Sequence, residues 1–289
     1  MPARKSKVSE IKEFYTLTFG DVAENHVGMQ KIGSLSERGF DEKDMIRFAE
    51  YFSELGCKVE LKPLHFMASA LENSDDHKIV QGELDPAFVL VIRDGVNRLL
   101  NDPKAADKLY IEQTLLDYDS KAMMKGKVVN KHARHNLCFG ESDQDPDYES
   151  GKGRVYNIDE VPDLNSLKEK LKSICRKCEG LVVEGNYYFD VEKCGIGYHG
   201  DAERRKVIAI RLYGKRNLES KAQDPDPTGD KTICYAWYKG YKQISNIIKL
   251  DIGHGDIYIM SEKATGFDWK RPSIPTLRHA AGCDKYTSI

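Results

Sequence analysis

The hydrophobic positions of the chain follow two different periods. Residues 41–56 read DEKDMIRFAEYFSELG, with apolar side chains at helical spacing, an acidic first turn and a closing glycine, which predicts a capped helix. Residues 163–180, DLNSLKEKLKSICRKCEG, place three leucines and an isoleucine on one stripe and predict a second amphipathic helix. From residue 181 onward the pattern changes to short β-prone runs separated by Gly, Pro and Asp, with a turn-rich loop at 223–230. That succession is typical of an antiparallel barrel or jelly roll.

The first hundred residues alternate between strand and helix patterns. Their β-prone runs are residues 13–20, 57–64 and 87–95, and a helical VNRLLN follows the last of them. This β-α-β order predicts a small α/β unit. We therefore expect an α+β protein with a jelly-roll core, helices packed on one side of it and an N-terminal α/β extension. The expected boundaries are 1–110 for the extension and 111–289 for the core domain.

The composition is that of an ordinary globular protein. The 289 residues are 40% hydrophobic and 31% charged, with a formal net charge of −2. This charge excludes a polycation, so contact with nucleic acid would require a local basic patch. No run approaches the roughly 18 apolar residues of a membrane span, and the basic residues 1–14 lack the apolar core of a secretory signal. Seven scattered cysteines indicate reduced thiols. We expect a protein of the cytoplasm or nucleus that is neither secreted nor in a membrane; the oligomeric state stays open.

One pair of residues has the pattern of metal ligands. His199 and Asp201 lie two residues apart in CGIGYHGDAE, directly before a run of β-forming residues. In an extended segment such residues point to the same face, so the imidazole and the carboxylate can reach one ion. A second histidine from elsewhere would complete a 2-His-1-carboxylate site, which leaves open positions on ferrous iron. A surface histidine and aspartate that flank a turn are the alternative for so short a motif.

The downstream sequence resembles a known family. In GDIYIMSE a Gly-Asp turn precedes an apolar strand, and in PTLRHAAG a histidine, His279, lies on a later β-prone run. This order resembles the end of the double-stranded β-helix, or jelly roll, of Fe(II)/2-oxoglutarate-dependent dioxygenases. The resemblance implies that His199, Asp201 and His279 bind Fe(II). His254 is a rival to His279, but it lies in the turn before Gly255, where the family has no ligand.

The upstream sequence narrows this resemblance to one branch. The stretch EGNYYFDVEKCGIGYHGDAE resembles the AlkB-like proteins, and the whole motif set resembles those of large DNA viruses and algae, over roughly residues 125–289. That branch has an Asn-x-Tyr on a strand about ten residues before the His-x-Asp, and Asn186 and Tyr188 occupy those places. The resemblance implies that both side chains hydrogen-bond the co-substrate 2-oxoglutarate.

The chain departs from the family pattern at its end. The family holds the far carboxylate of 2-oxoglutarate with an arginine some residues after the last histidine, and the tail after His279 contains none. Lys285 is the strong cation in that tail, although a lysine binds a carboxylate as a point charge without the bidentate geometry of arginine. Arg211, on the predicted strand after His-x-Asp, is the alternative because it alternates with apolar residues of that strand. Arg278 is a third candidate, but its side chain should point away from that of His279.

The resemblance also implies a reaction and a class of substrate. AlkB-like oxygenases use O2 to hydroxylate or oxidatively demethylate, mostly at methylated bases. The expected substrate contacts are Glu203 and Arg204, beside the His-x-Asp, and Arg134 and His135, in a basic segment that resembles the family's cover over the nucleotide. We expect a methylated nucleobase of DNA or RNA, with a small molecule or a protein side chain as alternatives. A catalytically inactive binding module on the same fold is a further alternative.

Overall fold

The computed structural model describes residues 13–70, 83–213 and 232–288. The basic N-terminal residues 1–12 and the predicted loop at 223–230 lie outside these described residues. Within them the fold is mixed α+β, with many strands and a few helices, as the sequence predicts. No helix in the described ranges is long and apolar enough to cross a membrane.

The strands are mostly short, and the helices are spread along the chain. The helices are α1 (Glu42–Glu54), α2 (Leu64–Met67), α3 (Gly95–Leu100), α4 (Ala105–Thr114), α5 (Pro162–Ile174) and α6 (Asp284–Thr287). The strands before α5 are β1 (Phe14–Gly20), β2 (Val22–Glu24), β3 (Lys31–Gly33), β4 (Val59–Pro63), β5 (Phe88–Ile92), β6 (Lys121–Met124), β7 (Lys127–Asn130), β8 (His135–Gly140) and β9 (Val155–Asn157). The strands after α5 are β10 (Val182–Tyr188), β11 (Gly195–His199), β12 (Val207–Tyr213), β13 (Ile233–Lys239), β14 (Lys242–Gln243), β15 (Ile248–Leu250), β16 (Ile257–Met260) and β17 (Pro275–Gly282).

Eight strands form one large sheet, in the order β4-β5-β16-β12-β1-β10-β8-β9. Strand β1 lies inside it, and Leu17 is paired with Gly185 of β10 on one side and with Ile210 of β12 on the other. Both β1 and β5 are buried along nearly their whole length, which requires neighbours on both edges and cover on both faces. Strands from both sides of residue 110, the predicted boundary, therefore share this sheet.

The longer helices pack against one face of the large sheet. Phe48 and Phe52 of α1 and Leu167 of α5 share a core with Phe19 of β1 and Ile208 of β12. Helix α1 begins at a capping box, in which the Asp44 N–H donates to Asp41 Oδ1 at 3.0 Å. These apolar stripes are the ones that the sequence pattern predicts, so one side of the sheet is covered by helices.

A second, smaller sheet faces the other side of the large sheet. Its order is β11-β17-β13-β14, and β15 also pairs with β13. Trp237 and Leu277 of this sheet share a core with Val207 and Ala209 of β12 and Tyr258 of β16. The two sheets therefore enclose an interior into which alternate residues of each strand point.

Candidate metal centre

The three residues predicted as metal ligands converge in the structure. His199 of β11 and His279 of β17 are paired residues on adjacent antiparallel strands. Asp201 Oδ1 lies 3.6 Å from His199 Nε2 and 3.7 Å from His279 Nε2. Ligand atoms of the three side chains lie within 4.8 Å of one another, and they form the one group with this property found among the described residues. This spacing fits three donors to a single ion.

Local backbone structure sets the direction of each ligand. The pairing register shifts between Ile196 and His199, and such an irregularity re-aims the side chain that follows it. The Nδ1–H of His199 donates to the carbonyl of Gly197 at 2.8 Å, which leaves Nε2 as the acceptor facing Asp201. This is the tautomer that a metal requires at Nε2.

Close packing fixes the segment between the first two ligands. The N–H of Asp201 donates to the carbonyl of Thr265 at 2.9 Å. Gly200 lies so close to this loop that a Cβ at its position would be 2.1 Å from the carbonyl oxygen of Gly266 and 2.7 Å from Trp269. Glycine is therefore the residue that lets His199 and Asp201 dock beside the loop.

The surroundings favour the metal-binding form of His279. Burial, together with the nearby His199 and Arg204, holds the pKa of His279 well below its usual value. The ring is neutral near pH 7, and its buried Nδ1 has no hydrogen-bond partner. A neutral imidazole whose Nε2 faces a carboxylate is ready to bind a cation without first losing a proton.

A buried ion pair stands behind the carboxylate ligand. The guanidinium of Arg204 donates to Glu184 Oε2 at 2.6 Å, and its Nε lies 4.0 Å from Asp201 Oδ2. It also reaches Glu203 at 3.2 Å. Burial and the charge of Asp201 raise the pKa of Glu203. Burial also acts to raise the pKa of Glu184, but the charges of Arg204 and Arg134 and the hydrogen bonds from Arg204 and Asn186 together outweigh it, and that pKa is lowered. Arg204 is thus engaged inside the protein and restricts the position of Asp201.

Two residues expected to bind the co-substrate lie on the inner face of the large sheet. Asn186 Oδ1 accepts a hydrogen bond from Arg134 Nε at 2.6 Å, and its amide donates to Glu184 at 3.0 Å. Tyr188 is two residues further along β10 and stacks on Phe14 with ring centroids 4.2 Å apart. Asn186 is connected to Asp201 through Glu184 and Arg204, so these expected positions belong to one polar network with the metal cluster.

Arg211 is a buried cation in the same interior. It is only 1% exposed and lies on β12, two residues after Ala209 and on the same face. Its Nε and one terminal nitrogen have no hydrogen-bond partner, and no carboxylate of the described residues pairs with it. The guanidinium lies over the ring of Phe14 at 4.5 Å and meets the phenol of Tyr258. A buried charge without a counter-charge is costly, so this position is suited to an anion.

Other predicted residues are not brought to the cluster. Lys285 is exposed on α6, with its ammonium 5.5 Å from the ring of Tyr286. His135 lies on the opposite face of the large sheet from Asn186, because Asn136 is the residue of β8 paired with Asn186, and the His135 ring contacts Phe189 at 4.5 Å.

His254 and Arg278, the less favoured candidates for a metal ligand and for the carboxylate ligand, also lie outside the cluster. His254 accepts the N–H of Tyr213 at 3.0 Å and pairs with Asp107, outside the group that could hold a metal. Arg278 lies over the ring of Tyr238 at 4.2 Å, on the face of β17 opposite His279. Neither residue joins the three ligands.

Several polar residues of the interior are not predicted by the sequence. Thr16 of β1 is paired with both Asn186 and Arg211, and its buried hydroxyl has no partner. Tyr235 of β13 is paired with His279, and its hydroxyl is likewise buried without a partner. Tyrosine and threonine are common strand residues, so their types give no signal; only the pairing of distant strands places them near the cluster.

Fold and site together define a mixed α+β protein of two facing sheets. Its His-Asp-His cluster has both histidines on adjacent strands of the smaller sheet and the aspartate just after the first of these strands. No protein-family model matches the chain. The chain is 45% identical over 279 residues to "Uncharacterized protein R156" of Acanthamoeba polyphaga mimivirus, and the match covers 96% of this chain and 99% of that protein. The chain therefore belongs to the same family as this mimivirus protein, whose name assigns no activity.

Proposed function

We propose that the protein is an Fe(II)/2-oxoglutarate-dependent dioxygenase with an AlkB-like jelly-roll core. The convergence of His199, Asp201 and His279 is the observation that carries this proposal, because two imidazoles and one carboxylate are the donor set of non-haem ferrous oxygenases. The donors fit such an ion in chemistry as well as in spacing, since burial keeps His279 neutral. When bound, iron and 2-oxoglutarate supply the activation of O2 that ends in a hydroxylated C–H bond.

The chain's own residues provide a place for 2-oxoglutarate. This co-substrate carries a second carboxylate at some distance from the end that binds the metal, and Arg211 offers a buried guanidinium with free donors. The Tyr258 phenol meets this guanidinium, and burial raises the pKa of the phenol. Arg211 is therefore better supported than the exposed Lys285 as the carboxylate ligand, with Asn186 and Tyr188 as further donors.

A basic hairpin that precedes Arg134 in the chain supports nucleic acid as the substrate class. Strands β6 and β7 form a two-stranded sheet, here called the basic hairpin (residues 121–130), whose tip residues Lys125 and Gly126 have φ of +49° and +77°. Lys121, Lys125 and Lys127 are exposed on it, and residues 121–135 contain no acid. The chain continues from the hairpin to Arg134, which donates to Asn186. A polyanion bound along these lysines would reach the polar network of the site.

The test of the reaction is the release of succinate. Protein purified without oxygen should take up Fe(II) and, when 2-oxoglutarate and air are added, should form succinate even in the absence of the true substrate. The Asp201→Asn variant, which keeps the side-chain size, should form none. If the wild-type protein neither bound metal nor released succinate, the proposed dioxygenase would be excluded and a binding module on this fold would remain.

A further inference from the structure

Tyr235 is buried at the centre of the smaller sheet, next to the third ligand of the candidate metal centre. It is the residue of β13 paired with His279 of β17, and directly paired residues project to the same face of a sheet. The two ring centroids lie 6.0 Å apart. The side chain is 0% exposed and belongs to the core between the sheets, together with Val207 and Tyr258 of the large sheet. Tyr235 therefore points into the interior that the metal ligands border.

The hydroxyl of Tyr235 has no partner, which is unusual for a buried phenol. The hydroxyl of Tyr213 donates to the carbonyl of Ile252 at 2.6 Å, and that of Tyr118 donates to Gln113 at 2.8 Å. Tyr235 Oη has no such acceptor. A buried polar group left without a hydrogen bond has lost its contacts with water and gained nothing in exchange, which is unfavourable. The cost is recovered when a bound ligand brings an acceptor to this place.

The position of the hydroxyl indicates what that ligand is. A tyrosine hydroxyl can donate a hydrogen bond, and this one is buried in the core that Tyr235 shares with Tyr258. Asp201 is the carboxylate of the candidate metal centre, and Tyr258 meets Arg211. Tyr235 is thus paired with one metal ligand, His279, and packs in the same core as the tyrosine that meets the buried guanidinium.

We propose that Tyr235 contacts the co-substrate directly, by donating a hydrogen bond to an oxygen of the 2-oxo acid bound at the His199–Asp201–His279 centre. This inference rests on the proposed function, since it requires a metal-bound 2-oxo acid. It adds a donor from the small sheet to those that Asn186, Tyr188 and Arg211 offer from the large sheet.

The test compares Tyr235→Phe with the wild-type protein in ligand binding rather than in turnover. Mn(II) replaces iron to exclude oxidation, and N-oxalylglycine replaces 2-oxoglutarate; calorimetry measures the affinity of each. Loss of one hydrogen bond to a charged ligand should weaken N-oxalylglycine on the order of tenfold and leave the affinity for Mn(II) unchanged. Tyr238→Phe is the matched control, because Tyr238 lies three residues along β13, on the other face, against Arg278. This control should bind N-oxalylglycine as the wild-type protein does.

Thermal unfolding of the metal-free protein separates this role from a structural one. Because the Tyr235 hydroxyl has no partner, its removal should leave the melting temperature unchanged or raise it. A melting temperature lower by more than about 4 °C would overturn the inference, since the hydroxyl would then support the fold itself. Equal affinity of Tyr235→Phe and wild type for N-oxalylglycine would overturn it while the proposed function stands. If N-oxalylglycine failed to bind the metal-loaded wild type, both the proposed function and this inference would fall.

Discussion

His199 and His279 are direct neighbours across an antiparallel strand pair, with ring centroids 4.5 Å apart and ring planes inclined by 57°. They are eighty residues apart in the chain, and the pairing of β11 with β17 brings them together. Their Nε2 atoms both face one carboxylate oxygen of Asp201. The cluster is therefore a property of the strand pair, and substitutions there should separate metal binding from folding.

Removal of one of the three ligands should abolish metal binding without unfolding the protein. For His279→Ala we expect the affinity for Mn(II) to fall by more than about 100-fold, since loss of even a residue that only supports a ligand costs 10–100-fold. Titration followed by calorimetry measures it. His254→Ala is the control, because His254 lies outside the cluster and should leave the affinity unchanged. Equal losses in both variants would show that the cluster is not the binding site.

Replacement of Arg211 should remove co-substrate binding and spare the fold. In Arg211→Met a side chain of similar length replaces a buried guanidinium that lacks a carboxylate partner, so the free energy of unfolding should stay the same or rise. The affinity of the Mn(II)-loaded protein for N-oxalylglycine should fall about 100-fold, as two charged hydrogen bonds are lost.

The matched variant for this experiment is Lys285→Ala. Lys285 is another cation that the sequence offers for the same carboxylate, and it is exposed. It should bind N-oxalylglycine like the wild-type protein. If Lys285→Ala lost affinity and Arg211→Met kept it, the assignment of the carboxylate ligand would be reversed.

The ion pair of Glu184 with Arg204 should matter to both stability and metal binding. Glu184→Gln leaves the buried guanidinium with a weaker partner, and we expect the free energy of unfolding in urea to fall by about 3 kcal/mol. The affinity for Mn(II) should fall as well, because the released guanidinium, already 4.0 Å from Asp201 Oδ2, competes for that carboxylate.

A double variant distinguishes the two effects of that pair. Glu184→Leu combined with Arg204→Met replaces both charges by apolar groups of similar size, and it should recover most of the stability. It should not restore the wild-type metal affinity, since Asp201 then lacks the guanidinium that restricts its position. A double variant as unstable as Glu184→Gln would argue against the pair as the source of the loss.

Acid should weaken the fold partly through Glu60. Hydrogen bonds from Lys62 at 2.8 Å and Arg93 at 3.0 Å lower the pKa of Glu60 from 4.5 to about 2. A carboxyl group whose pKa is lower in the folded state stabilises the fold fully above pH 4.5. This contribution to the free energy of unfolding is lost as the pH falls toward 2. Glu60→Gln should therefore cost about 1 kcal/mol at pH 7, allowing for screening by solvent, and progressively less toward pH 3.

Urea unfolding at several pH values tests this prediction. Glu169→Gln is the control, because Glu169 forms an exposed pair with Lys172 within α5 and should change stability little at any pH. A difference between Glu60→Gln and wild type that stayed constant from pH 7 to pH 3 would refute the assigned cause.

The basic hairpin should carry salt-dependent binding of single-stranded oligonucleotides. Replacement of its three exposed lysines by glutamine (Lys121, Lys125 and Lys127) should weaken binding and make the slope of log K against log salt shallower by about 2, at roughly 0.7 per phosphate contact. The control removes the same charge from α5, through Lys168, Lys170 and Lys172, on the helical side of the large sheet. No binding by the wild-type protein, or no change of slope in the hairpin variant, would exclude nucleic acid at this surface.

Local pattern along the chain is sufficient to identify the elements and two of the metal ligands. The helical stripe of α5, the capping box of α1 and the strand runs of β12 and β13 depend on spacing and caps within one segment, so they can be predicted without knowledge of the fold. His199 and Asp201 belong to this group, because residues two apart on an extended segment project together whatever surrounds them. The position of Arg211 on the face of Val207 and Ala209 follows from the same alternation.

The pairing of distant strands decides the rest. The sequence pattern of β1 shows that the strand is buried, but it does not show which strands flank it. Only the folded structure shows that β10 and β12 flank β1 inside the large sheet. The partner of Arg204 is Glu184, and the neighbour of His279 is Tyr235, through contacts between segments that no local spacing joins. Likewise, only the folded structure exposes Lys285 and leaves the buried guanidinium of Arg211 without a counter-charge. Burial and electrostatic pairing depend on all the segments that surround a residue, and these are assembled only when the sheets pack together.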